Sequence, residues 1–226
     1  MFFEEEYIIG RSGDMEIIEG ISMLDCTESS HVYLIQGKEN ILIDTGMPGL
    51  ADKILKEIRA KGVEPKTIKH ILLTHNDVDH VGNTKILQDI TGATLWSSEE
   101  DAPYVLGDKN RPGIKRIMQA LIKYEKPTIN QKYSENQELV DIKIIKTPGH
   151  TPGHVAIAYK DILFTGDMFR AISGKITKMQ KRMNWNQAEY EKSLGILKQL
   201  QYQWFCPGHG TPIKRNDSWE AFINTL

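Results

Sequence analysis

The chain has 226 residues, with 28 Lys plus Arg set against 30 Asp plus Glu and a formal net charge of −2. That length suits a single domain, 1–226, with a sizeable core, and the near-neutral balance excludes a strongly basic nucleic-acid-binding chain. No apolar run approaches the ~20 residues a membrane helix needs, and the start, MFFEEEYIIG, lacks the basic segment and apolar stretch of a secretory signal. A cytoplasmic protein with no nucleic-acid or membrane partner is expected.

Strands are predicted at Tyr7–Gly10, Met15–Ile21, His31–Ile35 and Asn40–Ile43, with GKEN at 37–40 reading as a hairpin turn. Residues 49–61 space Leu50, Ile54, Leu55 and Ile58 at helical intervals, and Gly62 is a stop. The apolar strand HILLT follows and runs into ILLTHNDVDHVG, residues 71–82. His75, Asp77, Asp79 and His80 fall within six positions there, a density of imidazole and carboxylate that suits a divalent cation better than packing. His75, Asp77 and Asp79 alternate, so an extended segment would point them one way, and His80 requires a turn. A helix near Asn83–Ile90 and a strand at 93–97 come next.

The stretch from about 101 to 131 stands apart as an insertion. Within it GIKRIMQALIKYEK is helical, with Ile114, Ile117, Met118, Leu121 and Ile122 on one apolar stripe. The stripe is read first as packing on the body of the protein, and second as a cap over a cleft or a homodimer contact. Strands are predicted again at Val140–Ile145, Val155–Tyr159 and Ile162–Phe164, then a helix over 186–200 with Leu194, Leu197 and Leu200 inward. WFCP reads as a final strand, and Asp217 as the cap of a terminal helix.

Three further loops set His or Asp among Gly and Pro: TPGHTPGH at 147–154, FTGDM at 164–168 and CPGHG at 206–210. Gly permits close backbone approach to a ligand and Pro fixes the path of the loop. Cys26 and Cys206 are distant and form no disulfide framework, and Cys206 reads as a buried strand-end residue. His31 and His70 read as structural or surface residues. Arg170, Lys175, Lys178, Lys181 and Arg182 read as a solvated loop or as partners of an anionic substrate group, and Met47, Met168 and Phe169 as packing residues. No nucleophile elbow or P-loop occurs.

On these motifs, in this order from about Val32 to His209, the chain resembles the metallo-β-lactamase-fold hydrolase superfamily. The resemblance implies an α+β, αββα sandwich of two mixed sheets flanked by helices. It implies that His75, Asp77 and His150 hold one metal and that Asp79, His80 and His209 hold a second. Asp167 would bridge them, and Asp44 of the DTG turn would lie behind the metal and orient ligands. His154, at the head of the strand VAIAY, is read as a hydrogen-bonding neighbour rather than a ligand.

Asp77 departs from the family pattern, which usually carries His there; flavodiiron reductases carry Glu. With Asp77, Asp79 and Asp167, two divalent cations and a hydroxide sum to about zero charge, which weakens Lewis acidity and shifts preference toward iron or manganese relative to zinc. Two divalent ions are expected, zinc first. The leading expectation is a hydrolase that uses a metal-bridging hydroxide on a small-molecule ester, thioester or lactone, with Asp79 as the catalytic proton carrier. The alternatives are a di-iron redox protein served by a separate electron donor and a non-catalytic metal-binding domain.

Overall fold

The structure is a computed structural model that describes residues 15–27, 29–134, 139 and 141–226; the strand expected at Tyr7–Gly10 lies outside the described residues. The first sheet takes its strands in chain order: β1 (Met15–Ile18), β2 (Ile21–Met23), β3 (Tyr33–Ile35), β4 (Asn40–Ile43), β5 (Ile68–Leu72), β6 (Thr94–Ser97) and β7 (Gln131–Lys132). Its first half is antiparallel, and β4 to β7 are parallel. The single strand expected over Met15–Ile21 is a hairpin instead. Gly20 adopts φ 78°, which breaks the strand and lets β2 fold back on β1.

The second sheet has the order β13 (Ile213–Lys214), β12 (Trp204–Gly210), β10 (Ile162–Ile172), β9 (Val155–Tyr159), β8 (Ile142–Lys146), with β11 (Lys175–Lys178) paired to β10. β10 is far longer than the three residues its apolar start suggests, because it continues through Gly166 and Asp167 to pair with β11 and β12. WFCP is likewise not the last strand, since β13 returns antiparallel to β12.

Alternation along the strands sorts residues between layers. Tyr33 and Ile35 of β3, Ile41 and Ile43 of β4, and Val155, Ile157 and Tyr159 of β9 fill the space between the sheets. Their neighbours Leu34 and Leu42 face outward to Ile54, Leu55 and Ile58 of α1 (Ala51–Ala60) and Leu87 of α3 (Thr84–Thr91), with α2 (Val78–Val81) preceding α3. Ala156 and Ala158 face outward on the other side. They meet Tyr190, Leu194 and Leu197 of α6 (Gln187–Leu197) and Trp219 and Phe222 of α7 (Asp217–Ile223). Because both faces of these strands are covered, they read as continuous apolar runs. The result is helix, sheet, sheet, helix. α7 is capped by Asn216, whose side chain accepts from the Trp219 N–H at 3.1 Å, and not by Asp217, which is already the first helical residue.

The insertion holds α4 (Ala102–Val105) and α5 (Ile114–Leu121). The apolar stripe of α5 does not pack on the body as first expected: Ile117 is 62% and Leu121 77% exposed. The buried residue of α5 is Lys115, at 6%. Among the described residues no helix is long and apolar enough to cross a membrane.

Candidate metal centre

The loops at one end of both sheets converge. His75 and Asp77 follow the end of β5, and Asp77 is extended, but the alternation stops there. The next residues form α2, so Asp79 and His80 stand on a helical turn. His150 lies in the loop before β9, Asp167 inside β10 and His209 inside β12. All seven side chains expected to act together are in one cluster. His75, Asp77, His150 and Asp167 bring ligand atoms within 4.8 Å of one another, as do Asp79, His80 and His209. Asp167 connects the two groups, with Oδ2 3.3 Å from His150 Nε2 and 3.2 Å from His209 Nε2, and Oδ1 3.4 Å from His80 Nε2.

The hydrogen bonds around the imidazoles fix which nitrogen faces inward. His80 Nδ1 donates to Asp44 Oδ2 at 2.8 Å. The Thr74 hydroxyl donates to the same carboxylate at 2.7 Å and so accepts from His75 Nδ1 at 2.9 Å. His150 Nδ1 donates to Asn184 Oδ1 at 3.0 Å, and His209 Nδ1 donates to the Ser29 carbonyl. Each of the four rings therefore engages its Nδ1 outside the cluster and directs its Nε2 into it. Asp44 holds its place on the turn with φ 60°, and accepts the Thr74 N–H at 2.8 Å as well.

Ring nitrogens and carboxylate oxygens then crowd one another. His150 Nε2 is 3.0 Å from Asp77 Oδ2, while His75 Nε2, His80 Nε2, Asp77 Oδ1 and Asp167 Oδ1 are buried with no hydrogen-bond partner. Burial, aided by repulsion from His80, pulls the His75 pKa down to about 4. Burial also disfavours charge on His80, but Asp44, Asp167 and Asp79 around it raise its pKa well above the ordinary value. Burial would raise the Asp167 carboxyl; His209 and His80 instead hold it well below the usual carboxylate range. A set of inward-facing acceptors with orphaned buried atoms fits divalent cations, which would satisfy them all at once. Gly208 leaves room for the cluster: a Cβ there would meet Asp167 Oδ1 at 2.5 Å and His80 Cε1 at 2.6 Å.

His154 is held differently. Its Nδ1 pairs with Thr147 Oγ1 at 2.9 Å and its Nε2 accepts the Asp167 backbone N–H at 3.0 Å, so it positions Asp167 and offers the cluster no lone pair. Cys206 is buried in β12, and Met168 and Phe169 pack under α6 and α7. His70 bonds Glu39 and the Trp96 indole N–H, away from the cluster, and buried His31 pairs its Nδ1 with the Thr27 carbonyl at 3.2 Å.

Two residues of the insertion were not foreseen. Lys115 Nζ lies 2.6 Å from Asp77 Oδ2 and 3.0 Å from His150 Nε2. Burial alone would raise the Asp77 pKa, but the Lys115 ammonium, followed by the neighbouring His150 and His75 rings, holds it well below the usual range. The charge sum taken from the sequence omitted this cation; with Lys115 included, the extra carboxylate at position 77 is cancelled. Arg111, 2% exposed, clamps Asn76 between the two ligand-type residues, its Nε donating to the Asn76 carbonyl at 2.9 Å. The only sequence signal for either was the insertion itself. Above the cluster lies a cavity of about 280 Å³ bordered by Asp79, Arg111, Lys115, Met118, Arg170 and Arg182.

The sequence profile of the metallo-beta-lactamase superfamily matches residues 27–209. The chain belongs to that superfamily. Beta-lactamase-like protein 2 homolog of Drosophila melanogaster is 32% identical over 203 residues, 86% of this chain and 65% of that protein. Hydroxyacylglutathione hydrolase of Rhodospirillum rubrum is 27% identical over 169 residues, 74% of this chain and 58% of that one. The chain thus spans less than two thirds of the length of these relatives. Among solved structures, BJP-1, a subclass B3 metallo-beta-lactamase of Bradyrhizobium japonicum, superimposes with TM-score 0.72 at 21% identity over 94% of this chain and 90% of that one, which shows the fold. TTHA1623 in a di-iron-bound form does so with TM-score 0.65 at 25% identity over 82% and 89%. Within this superfamily of metallo-hydrolases the cluster is a His and Asp metal-binding site.

Proposed function

We propose that the protein is a dinuclear metal-dependent hydrolase acting on an ester, thioester or lactone. The observation that carries this reading is the ring of four Nε2 atoms and three carboxylates facing one another in the floor of an open cleft. His75, Asp77 and His150 would hold one ion, Asp79, His80 and His209 the other, with Asp167 between them. Two divalent cations bound there would supply a water activated at neutral pH and polarisation of the scissile carbonyl.

The chain's own groups do the rest. Asp79 is partly exposed and borders the cavity, which supports its carboxylate as the group that takes a proton from the attacking water and passes it to the leaving group. Asp44 and Thr74 hold two imidazoles at fixed orientation, so no reorganisation is needed during reaction. Val78, Met118 and Met179 give the cavity an apolar wall against which an acyl chain would pack. Cancellation of Asp77 by Lys115 supports zinc as the occupant, since the site no longer carries the excess negative charge that favours harder ions.

The thioester arm of this reading is supported by likeness to a hydroxyacylglutathione hydrolase, and iron as a competing occupant by likeness to a protein seen in a di-iron-bound form. The test is steady-state hydrolysis by zinc-loaded and iron-loaded protein of a 2-hydroxyacyl thioester, an aryl ester and a γ-lactone. Turnover of at least one, lost in Asp167→Ala, is expected. Fully loaded protein that turns over none of them, but consumes dioxygen when given an electron donor, would replace the hydrolase with a redox protein.

A further inference from the structure

The cleft above the cluster holds more positive charge than its own residues use. Four cationic side chains border it: Arg111, Lys115, Arg170 and Arg182. Lys115 is committed to Asp77. The three guanidinium groups are not: among the described residues no carboxylate lies within ion-pair distance of any of them. Arg111 is the decisive case. It is 2% exposed, its Nε and Nη2 are taken by neutral oxygens of Asn76 and Tyr124, and its Nη1 is buried with no partner. Arg170, half-buried on β10 and in register with His209 on β12, likewise leaves its Nε buried and unpartnered. A buried guanidinium without an anion is costly, and this fork of donors matches the oxygens of a carboxylate or phosphate.

We infer that the cleft is built for a substrate that carries an oxyanion group, a carboxylate or phosphate separate from the scissile ester or thioester, received by Arg111, Arg170 and Arg182. This rests on the hydrolase reading and narrows its substrate class. The oxyanion would be the handle that fixes orientation, with the acyl bond toward Asp79 and Asp167 and the apolar linker along Val78 and Met118. A cavity of about 280 Å³ accommodates a compact molecule of this kind.

The test measures binding and turnover on metal-loaded protein, so that the two readings fail separately. Three non-hydrolysable ligands are titrated calorimetrically: N-propyl glutaramic acid, its neutral diamide, and the analogue with a phosphonate in place of the carboxylate. The corresponding carboxylate ester and its carboxamide are compared by kcat/KM. An acid bound at least about tenfold more tightly than the diamide is expected from charge-assisted bidentate contacts, with the same preference in kcat/KM. Arg182 is exposed, so Arg182→Gln keeps the fold, and it should reduce the preference several-fold; Arg170→Gln should reduce it further. Comparison of acid and phosphonate tells which oxyanion fits. Equal binding of acid and diamide, or a preference untouched by both substitutions, would overturn the inference. A strong preference for the anion with no turnover of either ester would leave the anion site standing and refute the hydrolase.

Discussion

Lys115→Met tests the role of the pair that Lys115 forms with Asp77. The pair is buried, 6% and 7% exposed, with Nζ 2.6 Å from Oδ2. Met keeps the unbranched stem and removes only the charge and donors. In metal-free protein Asp77 would then be a buried carboxylate stripped of its nearest cation, at a cost of about 3–5 kcal/mol. For a chain of this size each kcal/mol moves Tm by about 2–4 °C, so a fall of roughly 6–20 °C is expected. Lys115 also donates to His150 Nε2, the lone pair one ion would need. Loading that ion requires Lys115 to release His150, and the variant lacks this competition. Melting curves in EDTA and in zinc on both proteins read both effects. The variant should be the less stable in EDTA and should gain more from zinc than the parent gains. An EDTA-state Tm unchanged by the substitution, or equal gains from zinc, would refute the role assigned to the pair.

Four other outcomes are expected. Asp77→His alone would put an imidazole beside the Lys115 ammonium and weaken zinc binding, whereas Asp77→His with Lys115→Met should restore it; zinc titration of both variants decides. Asp101→Ala removes the acceptor of the Thr151 hydroxyl (2.6 Å) and the Gly153 N–H (2.7 Å) in the loop that carries His150. Two buried donors left unpaired should cost about 1–3 kcal/mol each, visible in denaturant midpoints. Gly208→Ala drives a methyl against Asp167 and His80 and should lower metal content far more than stability, read by elemental analysis beside thermal melting. His154→Ala, which loses the acceptor of the Asp167 N–H but no inward lone pair, should retain metal that Asp167→Ala loses; equal loss would mean that His154 belongs inside the cluster.

How much of this was legible in the sequence depended on whether the signal was local. VAIAY and NILI were legible as buried strands because they are continuous apolar runs, but with both faces covered they do not tell which residues meet the opposite sheet; the two-sheet arrangement came from the order of elements and the resemblance. HNDVDH and the three Gly- and Pro-framed loops pointed to a metal site, because spacing and loop chemistry are written in consecutive residues, and the resemblance to the superfamily assigned the seven ligands among them. The extended reading failed at Asp79 because DVDHV forms a helical turn, which apolar and polar alternation cannot distinguish over so few positions. Lys115 was illegible for a physical reason. On α5 the rule that apolar residues go in and charges go out is inverted, with Ile117 and Leu121 in solvent and the lysine buried. Its partner Asp77 is 38 positions earlier, so no local pattern could announce the pair. Thr74 and Asn184, which fix the tautomers of His75 and His150, are similarly silent, because Thr and Asn beside a histidine are unremarkable until the ring orientation is known.

The central claim is that the seven inward-facing side chains hold two metal ions. Elemental analysis of protein purified after growth with zinc and iron supplied, on the wild type and on Asp167→Ala, tests it most directly. About two transition-metal ions per chain are expected in the wild type, and a clear loss in the variant, because Asp167 touches both halves of the cluster. Wild-type protein that is folded and carries none, or a variant that carries as much as the wild type, would contradict it.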